Sequence, residues 1–434
     1  MKTLTFMQIR WGGIPSLPRA LRTARKLLST KSLPEAEASL KGPASTTVVV
    51  EKKNEIPLYR RLSSLGAAPE GSVTKTMNKW VREGRTVKVD QLIKYVKGLR
   101  KYRRYRHALE LMNWMVEVRG MNLSHTNLAI CLDLICKVRG IEPAEEFFNK
   151  LPDSAKNERT YGALFSCYCS KKMAEKANAL FLKMEEINIA SSTLLYNNLM
   201  SLFMKLGQPE KVPQIFQKMK ANNIAPDNLT CCILMNSYAA KDDIEAVEGI
   251  IKEMEEEDEV TIQWTAYSTL AAIYNSVNLF DKAELALQKL ELLINGHERE
   301  PFHFLISLYA GAGNLKQVRR VWELLKTTFP KQTNLSYLMM LHALNKFDDV
   351  HGMKKCFSEW ESNLETYDLR IANLVVGAYL RKDMEKEAET VLDKVKEKGL
   401  SADLRTCDLF IDYYLKNGKI DLAKKWSEVA ALTK

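Results

Sequence analysis

Seven cations fall within thirteen residues of this chain: Lys94, Lys97, Arg100, Lys101, Arg103, Arg104 and Arg106. Tyr95, Tyr102 and Tyr105 are interleaved with them. That mixture suits a nucleic-acid surface, because phosphates meet the cations while bases stack on the rings. The competing reading is a solvated turn between helices, with the tyrosines tucked into a helical core. Nothing comparable speaks for catalysis or for a metal. The eight cysteines (Cys131, Cys136, Cys167, Cys169, Cys231, Cys232, Cys356 and Cys407) form no CxxC pair, and the six histidines show no HExxH spacing. Most of the cysteines sit in apolar patterns and read as small buried hydrophobes in a reducing compartment. No catalytic residue, metal or cofactor is assigned, and the chain is not read as an enzyme.

The basic stretch lies on a repeating frame, clearest over 193–227, TLLYNNLMSLFMKLGQPEKVPQIFQKMKANNIAPD. Tyr196, Leu199, Met200 and Phe203 recur at helical spacing, Gly207 to Pro209 break the run, and Val212, Ile215, Phe216 and Met219 form a second stripe. Two helices this short cannot bury their apolar faces alone. The position of Tyr196 recurs upstream at Tyr161, Leu128 and Leu92, and downstream at Cys231, Tyr267, Phe302, Tyr337, Ala372 and Cys407, in steps of 33 to 36 residues. Twenty residues after each of the first nine lies a second apolar marker: Met112, Phe148, Phe181, Phe216, Ile251, Leu287, Trp322, Phe357 and Leu392. A third marker is small or valine: Ala108, Ala144, Ala177, Val212, Val247, Ala283, Val318 and Ala388. Two helices per unit at this period predict an all-α solenoid. The expected units are 89–124, 125–157, 158–192, 193–227, 228–263, 264–298, 299–333, 334–368, 369–403 and 404–434, with a helical cap over 57–88.

Formal net charge is +11, and seven of the basic residues lie in 1–34, which holds no acid. With Leu, Phe, Ile, Trp, Ser and Thr interspersed, 1–34 reads as an organelle transit peptide, and 35–56 as a linker. Total charge is therefore weak evidence for nucleic acid. The middle even reverses sign: Glu253, Glu255, Glu256, Glu257, Asp258 and Glu259 form an acidic knot that repels phosphate and faces solvent or a basic protein. No apolar run is long enough to span a membrane.

The segments quoted above, with RTYGALFSCYCSKKMAEKANALFLKMEEINI, IANLVVGAYLRKDMEKEAETVLDKVKEKGLSAD and KYRRYRHALELMNWM, resemble pentatricopeptide repeat proteins of the plain, plant organellar type. The resemblance covers about residues 57–434. It implies a right-handed α-solenoid superhelix of about ten 35-residue helix-turn-helix repeats. It also implies single-stranded organellar RNA as partner, a role in transcript stabilisation, processing or translation, and a mitochondrial matrix location with chloroplast as the alternative. The family's deaminase-like and nuclease-like C-terminal domains are not recognisable here. In the family each repeat reads one base through the residue after the Tyr-type marker and the last residue of the unit. Carried over, Asn197 with Asp227 and Asn373 with Asp403 resemble the uracil-preferring pair. Ser268 (with Glu298), His303 (with Thr333) and Asp368 (with Leu338) are weaker candidates, and the remaining junctions depart from the pattern: Ile93 with Ser124, Ala129 with Asn157, Gly162 with Ser192 and Cys232 with Gln263. A long sequence-specific footprint is therefore not expected. Two other uses stay open: a scaffold on the mitochondrial ribosome, touching ribosomal RNA and proteins through the basic patch, or a solenoid that binds protein alone.

Overall fold

The computed structural model describes residues 57–66, 68–256, 262–363 and 366–432. The expected transit peptide and linker lie outside the described residues. Among those described there is no strand, and no helix is long and apolar enough to cross a membrane. Contacts gather into two units, one ending at Ala312 and the other beginning at Gly313.

The first unit opens with two cap helices, α1 (Leu58–Ser63) and α2 (Ser72–Arg82). Helix pairs follow: α3 (Val89–Lys101) with α4 (Tyr105–Asn113), α5 (His125–Val138) with α6 (Ile141–Lys150), and α7 (Glu158–Ser170) with α8 (Ala174–Glu186). Next come α9 (Thr193–Lys205) with α10 (Lys211–Ala221), α11 (Asn228–Ala239) with α12 (Ile244–Glu256), α13 (Trp264–Ser276) with α14 (Phe280–Leu292), and then α15 (Glu300–Gly311). The second unit holds α16 (Leu315–Thr328), α17 (Asn334–Lys346) with α18 (Val350–Asn363), α19 (Leu369–Arg381) with α20 (Glu385–Glu397), and α21 (Leu404–Lys416) with α22 (Ile420–Leu432).

Within each unit, first helices stack directly on one another: α5, α7, α9, α11, α13 and α15 in the first, α17, α19 and α21 in the second. They form one face of each stack. The apolar markers explain the stacking. All eight residues of the small marker, Ala108 to Ala388, are fully buried. The two larger markers meet across the repeat junctions, as edge-to-face pairs Phe148–Tyr161, Phe181–Tyr196 and Trp322–Tyr337 with ring centroids 4.9 to 5.4 Å apart. Each such side chain stabilises the stack by about 1.5–3 kcal/mol through burial alone, and the ring pairs form only when both repeats are present.

A polar staple accompanies the apolar one. Glu248 accepts from Tyr274 Oη at 3.0 Å and Lys282 Nζ at 2.6 Å. Glu255 likewise takes Tyr267 Oη at 2.8 Å and Lys289 Nζ at 2.6 Å. Glu185 with Lys218, Glu145 with Lys176 and Glu385 with Lys419 repeat the ion pair between neighbouring second-helix faces. The Lys282 ammonium, against some burial, holds the Glu248 carboxyl below its usual range. Pairs this exposed add at most about 1 kcal/mol each, so the staples set register more than stability.

The turns inside the repeats need a left-handed residue at one fixed position. Gly207, Gly313 and Gly418 occupy it without strain, and Asp242, Asn278, Asp348 and Asp383 are the next best types. Arg103 and Lys172 hold the same conformation, with φ of 61° and 59°. Lys172→Gly is therefore expected to stabilise the first unit by about 1 kcal/mol. A urea midpoint that falls or stays put would contradict this. The first and second repeats depart from the 35-residue frame. The extra residue of the first is absorbed by a π turn, Trp114–Val118, at the end of α4. The shorter second repeat has a short α6, followed after Leu151 and Pro152 by a 3₁₀ turn, Asp153–Ala155.

Candidate nucleic-acid interface

The cap decides what the basic stretch can present. Tyr59 of α1 packs on Tyr95 (ring centroids 5.4 Å) and on Gly98 of α3. Glu110 of α4 accepts from the Thr74 backbone N–H at 2.8 Å, and Trp114 Nε1 donates to Asn78 at 2.8 Å, which ties α4 to α2. Arg100 and Arg104 are spent inside the protein. Arg100 pairs with Asp133 at 2.6 Å, and Arg104 donates to the Ser63 carbonyl. Lys94, Lys97, Lys101, Arg103 and Arg106 are exposed, as is the Tyr102 ring at 67%. Tyr105 instead lies under the Lys137 ammonium, 5.0 Å from the ring centroid.

Register places Lys94 and Lys97 on a particular face. Asn198 stands at Lys94's register and donates to Ser166 of the preceding first helix at 3.1 Å. Asp133 stands at Lys97's register and is held by Arg100 of the preceding first helix. The two lysines thus occupy the face that later repeats bury against a neighbour. The patch marks the open end of the stack of first helices, beside the cap.

A second set of cations, which shares only Lys101 with the basic stretch, emerges from the helix ends. The last turn of the first helix carries a base at one register in α3, α5, α9, α17, α19 and α21: Lys101, Lys137, Lys205, Lys346, Arg381 and Lys416. Helix C-termini favour positive charge. In α7, α11, α13 and α15 the same register holds Ser170, Ala240, Ser276 and Gly311. The row follows the repeat frame, so its signal in the sequence is the common register of these last turns. Lys137 also bonds Asp133, and Arg381 donates to Asn345.

The acidic knot is less free than its composition suggests. Glu253 pairs with Lys220, Glu255 with Lys289, and Glu256 with Lys252. Glu257, Asp258 and Glu259 lie outside the described residues.

The candidate reading residues divide sharply. Asn197 Nδ2 donates to Asp227 Oδ1 at 2.9 Å, and Asn373 Nδ2 donates to Asp403 Oδ1 at 3.0 Å. Each Asp also caps the next helix, accepting the backbone N–H of Thr230 or Thr406 at 2.8 Å. The threonine hydroxyl closes the arrangement. Thr230 Oγ1 lies 2.8 Å from Asn197 Oδ1, and Thr406 Oγ1 lies 2.6 Å from Asn373 Oδ1. Two junctions five repeats apart thus share one three-residue lock, spaced Asn-x29-Asp-x2-Thr. The Asp-x2-Thr part is a helix-capping spacing, and that signal was available in the sequence. The asparagines are 2% and 8% exposed, the threonines 0% and 1%. Burial pushes the Asp403 carboxyl up, but the bonds from Thr406 and Asn373 outweigh it and hold it below its usual range.

Among the described residues no other junction has the lock. Asp368, with Leu338 in the asparagine's place, is held by Arg370 at 2.5 Å. Ser268 donates to the Thr265 carbonyl at 2.9 Å. His303 is 8% exposed, and burial, with the Arg299 charge, lowers its pKa to about 4. At Cys232, Asn228 bridges the junction instead, donating to Thr265 Oγ1 at 2.6 Å and accepting the Gln263 N–H at 3.0 Å. One turn before Asn197, Leu194 is 53% exposed on the same helix face, an apolar platform beside the first lock. The residues at its register beside the second lock are Arg370 and Arg405.

All eight cysteines are buried and unbridged. Among the described residues no group of side chains is arranged to hold a metal ion.

Comparison with known proteins places this geometry. A profile of the PPR repeat family matches residues 191–240, and a single PPR repeat profile matches 159–189, 229–258 and 371–400. A mitochondrial pentatricopeptide repeat-containing protein of Arabidopsis thaliana is 43% identical over 411 residues, covering 95% of this chain and 81% of that protein. The large ribosomal subunit protein mL101 (rPPR4) of Arabidopsis thaliana is 42% identical over 374 residues, covering 86% of this chain and 75% of that protein. Among solved structures, the pentatricopeptide repeat protein PPR10 in complex with an 18-nt psaJ RNA element superposes with a TM-score of 0.56 at 18% identity. It covers 82% of this chain, which spans 52% of that one.

Proposed function

This chain belongs to the pentatricopeptide repeat family, and from that premise we propose that it is a non-catalytic RNA-binding protein of the mitochondrion. The observation that carries the reading is the pair of Asn–Asp–Thr locks on the stacked first helices. A buried amide and a carboxylate, placed side by side at a register the family uses for bases, are suited to hydrogen-bond a base edge. The exposed end patch and the last-turn cations supply phosphate contacts. With one base per repeat, two reading junctions specify two uridines five nucleotides apart. The junctions between them contribute affinity without sequence. The protein then protects or presents a short single-stranded site rather than reading a long one.

Selection of RNA from a randomised pool by the purified full chain tests this. Enrichment of uridine at two positions five apart is expected. Asn197→Ala and Asn373→Ala should each erase the preference at one position, by about tenfold, while overall affinity falls less. A wild-type pool with no positional enrichment would sink repeat-by-repeat reading.

A second reading rests on the likeness to mL101: an accessory protein of the mitochondrial large ribosomal subunit, holding ribosomal RNA through the end patch. Crosslinking in purified mitochondria separates the two. Reads on one or two transcripts support the first reading, and reads concentrated on ribosomal RNA support the second.

A further inference from the structure

We propose that Thr230 and Thr406 are positioning residues for base preference, acting through the amides of Asn197 and Asn373. This rests on the base-reading function above and adds to it a residue that makes no base contact itself.

The hydrogen-bond valences lead there. An asparagine amide has two N–H donors and one carbonyl, and it reads differently when rotated by half a turn. At the first lock one N–H goes to Asp227 Oδ1. That oxygen already receives the Thr230 backbone N–H. The Thr230 hydroxyl lies 2.8 Å from both Asp227 Oδ1 and Asn197 Oδ1. Its single proton is worth most to the amide carbonyl, because the carboxylate oxygen is already supplied twice. The backbone N–H of Asp227 in turn points at the hydroxyl, at 3.1 Å, so the lone pairs are used as well. The second lock repeats the side-chain part of this, with Thr406 Oγ1 2.6 Å from Asn373 Oδ1 and 2.9 Å from Asp403 Oδ1.

With the hydroxyl in place, the carbonyl is satisfied inside the protein, and the amide offers a base its remaining N–H. Without it, a carbonyl on a residue 2% exposed loses its donor. An unsatisfied buried acceptor is costly. A half-turn would only aim that carbonyl at the Asp227 carboxylate, so the amide swings out of the lock to regain a donor. The offered edge is then no longer single-valued. The other junctions fit this account. Asn157 caps α7, and Thr160 stands at the third position, but residue 129 is alanine and there is no amide to orient. Asp368 has neither an asparagine partner nor a third-position hydroxyl, and its carboxylate goes to Arg370.

The test uses the full chain and the same randomised RNA pool, with Thr230→Val, Thr230→Ser, Thr406→Val and Thr406→Ser beside the wild type. Thermal melts establish that each variant is folded. A Thr→Val exchange is expected to lower the uridine preference from about tenfold to about twofold at its own position and leave the other unchanged. Thr→Ser should keep the preference. If the two variants lower the melting temperature but leave both preferences intact, the threonines are helix caps only and the inference fails while base reading stands. Should Thr→Ser lose preference as fully as Thr→Val, the hydroxyl is not the agent and the inference likewise fails. A wild type without uridine enrichment overturns the base-reading function, and the inference with it.

Discussion

Reversing Lys94, Lys97, Arg103 and Arg106 to glutamate together should cost RNA affinity about two orders of magnitude at 0.1 M salt and flatten its salt dependence. Each phosphate contact with a single strand contributes about 0.7 to the slope of log K against log salt, so four lost contacts remove about 3. The choice of these four follows from the structure. From sequence, Arg100 and Arg104 look equivalent to them. In the fold Arg100 holds Asp133 of the next first helix, and Arg104 holds the carbonyl of Ser63 in the cap. Reversing those two would bury a repulsive pair and loosen the cap, and lost binding would then say nothing about phosphate. The chosen four are exposed and make no side-chain bond among the described residues, so unfolding midpoints should stay close to wild type. Filter binding across a salt series checks the effect. An unchanged slope would remove the end patch from any account of RNA contact.

Trp360→Ala should destabilise the second unit by about 3–5 kcal/mol, the range for deleting a large buried aromatic. Trp360 is 1% exposed on α18. Its ring meets Phe357 at 5.4 Å and Tyr367 at 4.8 Å, and its Nε1 donates to Asn334 Oδ1 at 2.9 Å. Asn334 in turn bonds the Thr366 carbonyl. One side chain thus fixes the start of α17, the end of α18 and the entry to α19. Repeat stacks unfold locally, because each repeat contacts only its neighbours. The loss should therefore appear as early amide exchange across α17 to α19, with α5 to α9 protected as before. Uniform exchange throughout the chain would show instead that the array unfolds as one cooperative block. Trp360→Phe should recover most of the packing and leave the Asn334 amide short of a donor.

Much of this organisation is legible in the sequence because burial has a period. Tyr196, Phe216 and Val212 each recur with the repeat, and a residue's place in a stack of identical units dictates its environment. The apolar frame and the helix pairs follow from counting, whereas the two Asn–Asp junctions were singled out by the family resemblance. The last-turn cations and the Asp-x2-Thr caps share that period, but they are single polar residues scattered among many others of their type, so neither charge density nor apolar spacing marks them. The basic stretch is a different matter. Seven similar side chains in a row cannot be told apart by type. Arg100 and Arg104 become structural only because Asp133 and the Ser63 carbonyl arrive beside them from 33 and 41 residues away.

By itself, then, the sequence determined the all-helical repeat and its spacing. The tertiary structure decided which junction side chains bond to one another. Hydrophobic periodicity is written locally, residue by residue, whereas hydrogen-bond valence is shared among groups the fold brings together. Asn197 and Asn373 are ordinary amides in the chain. They acquire one orientation only when Asp227 with Thr230, and Asp403 with Thr406, close on them from the next repeat.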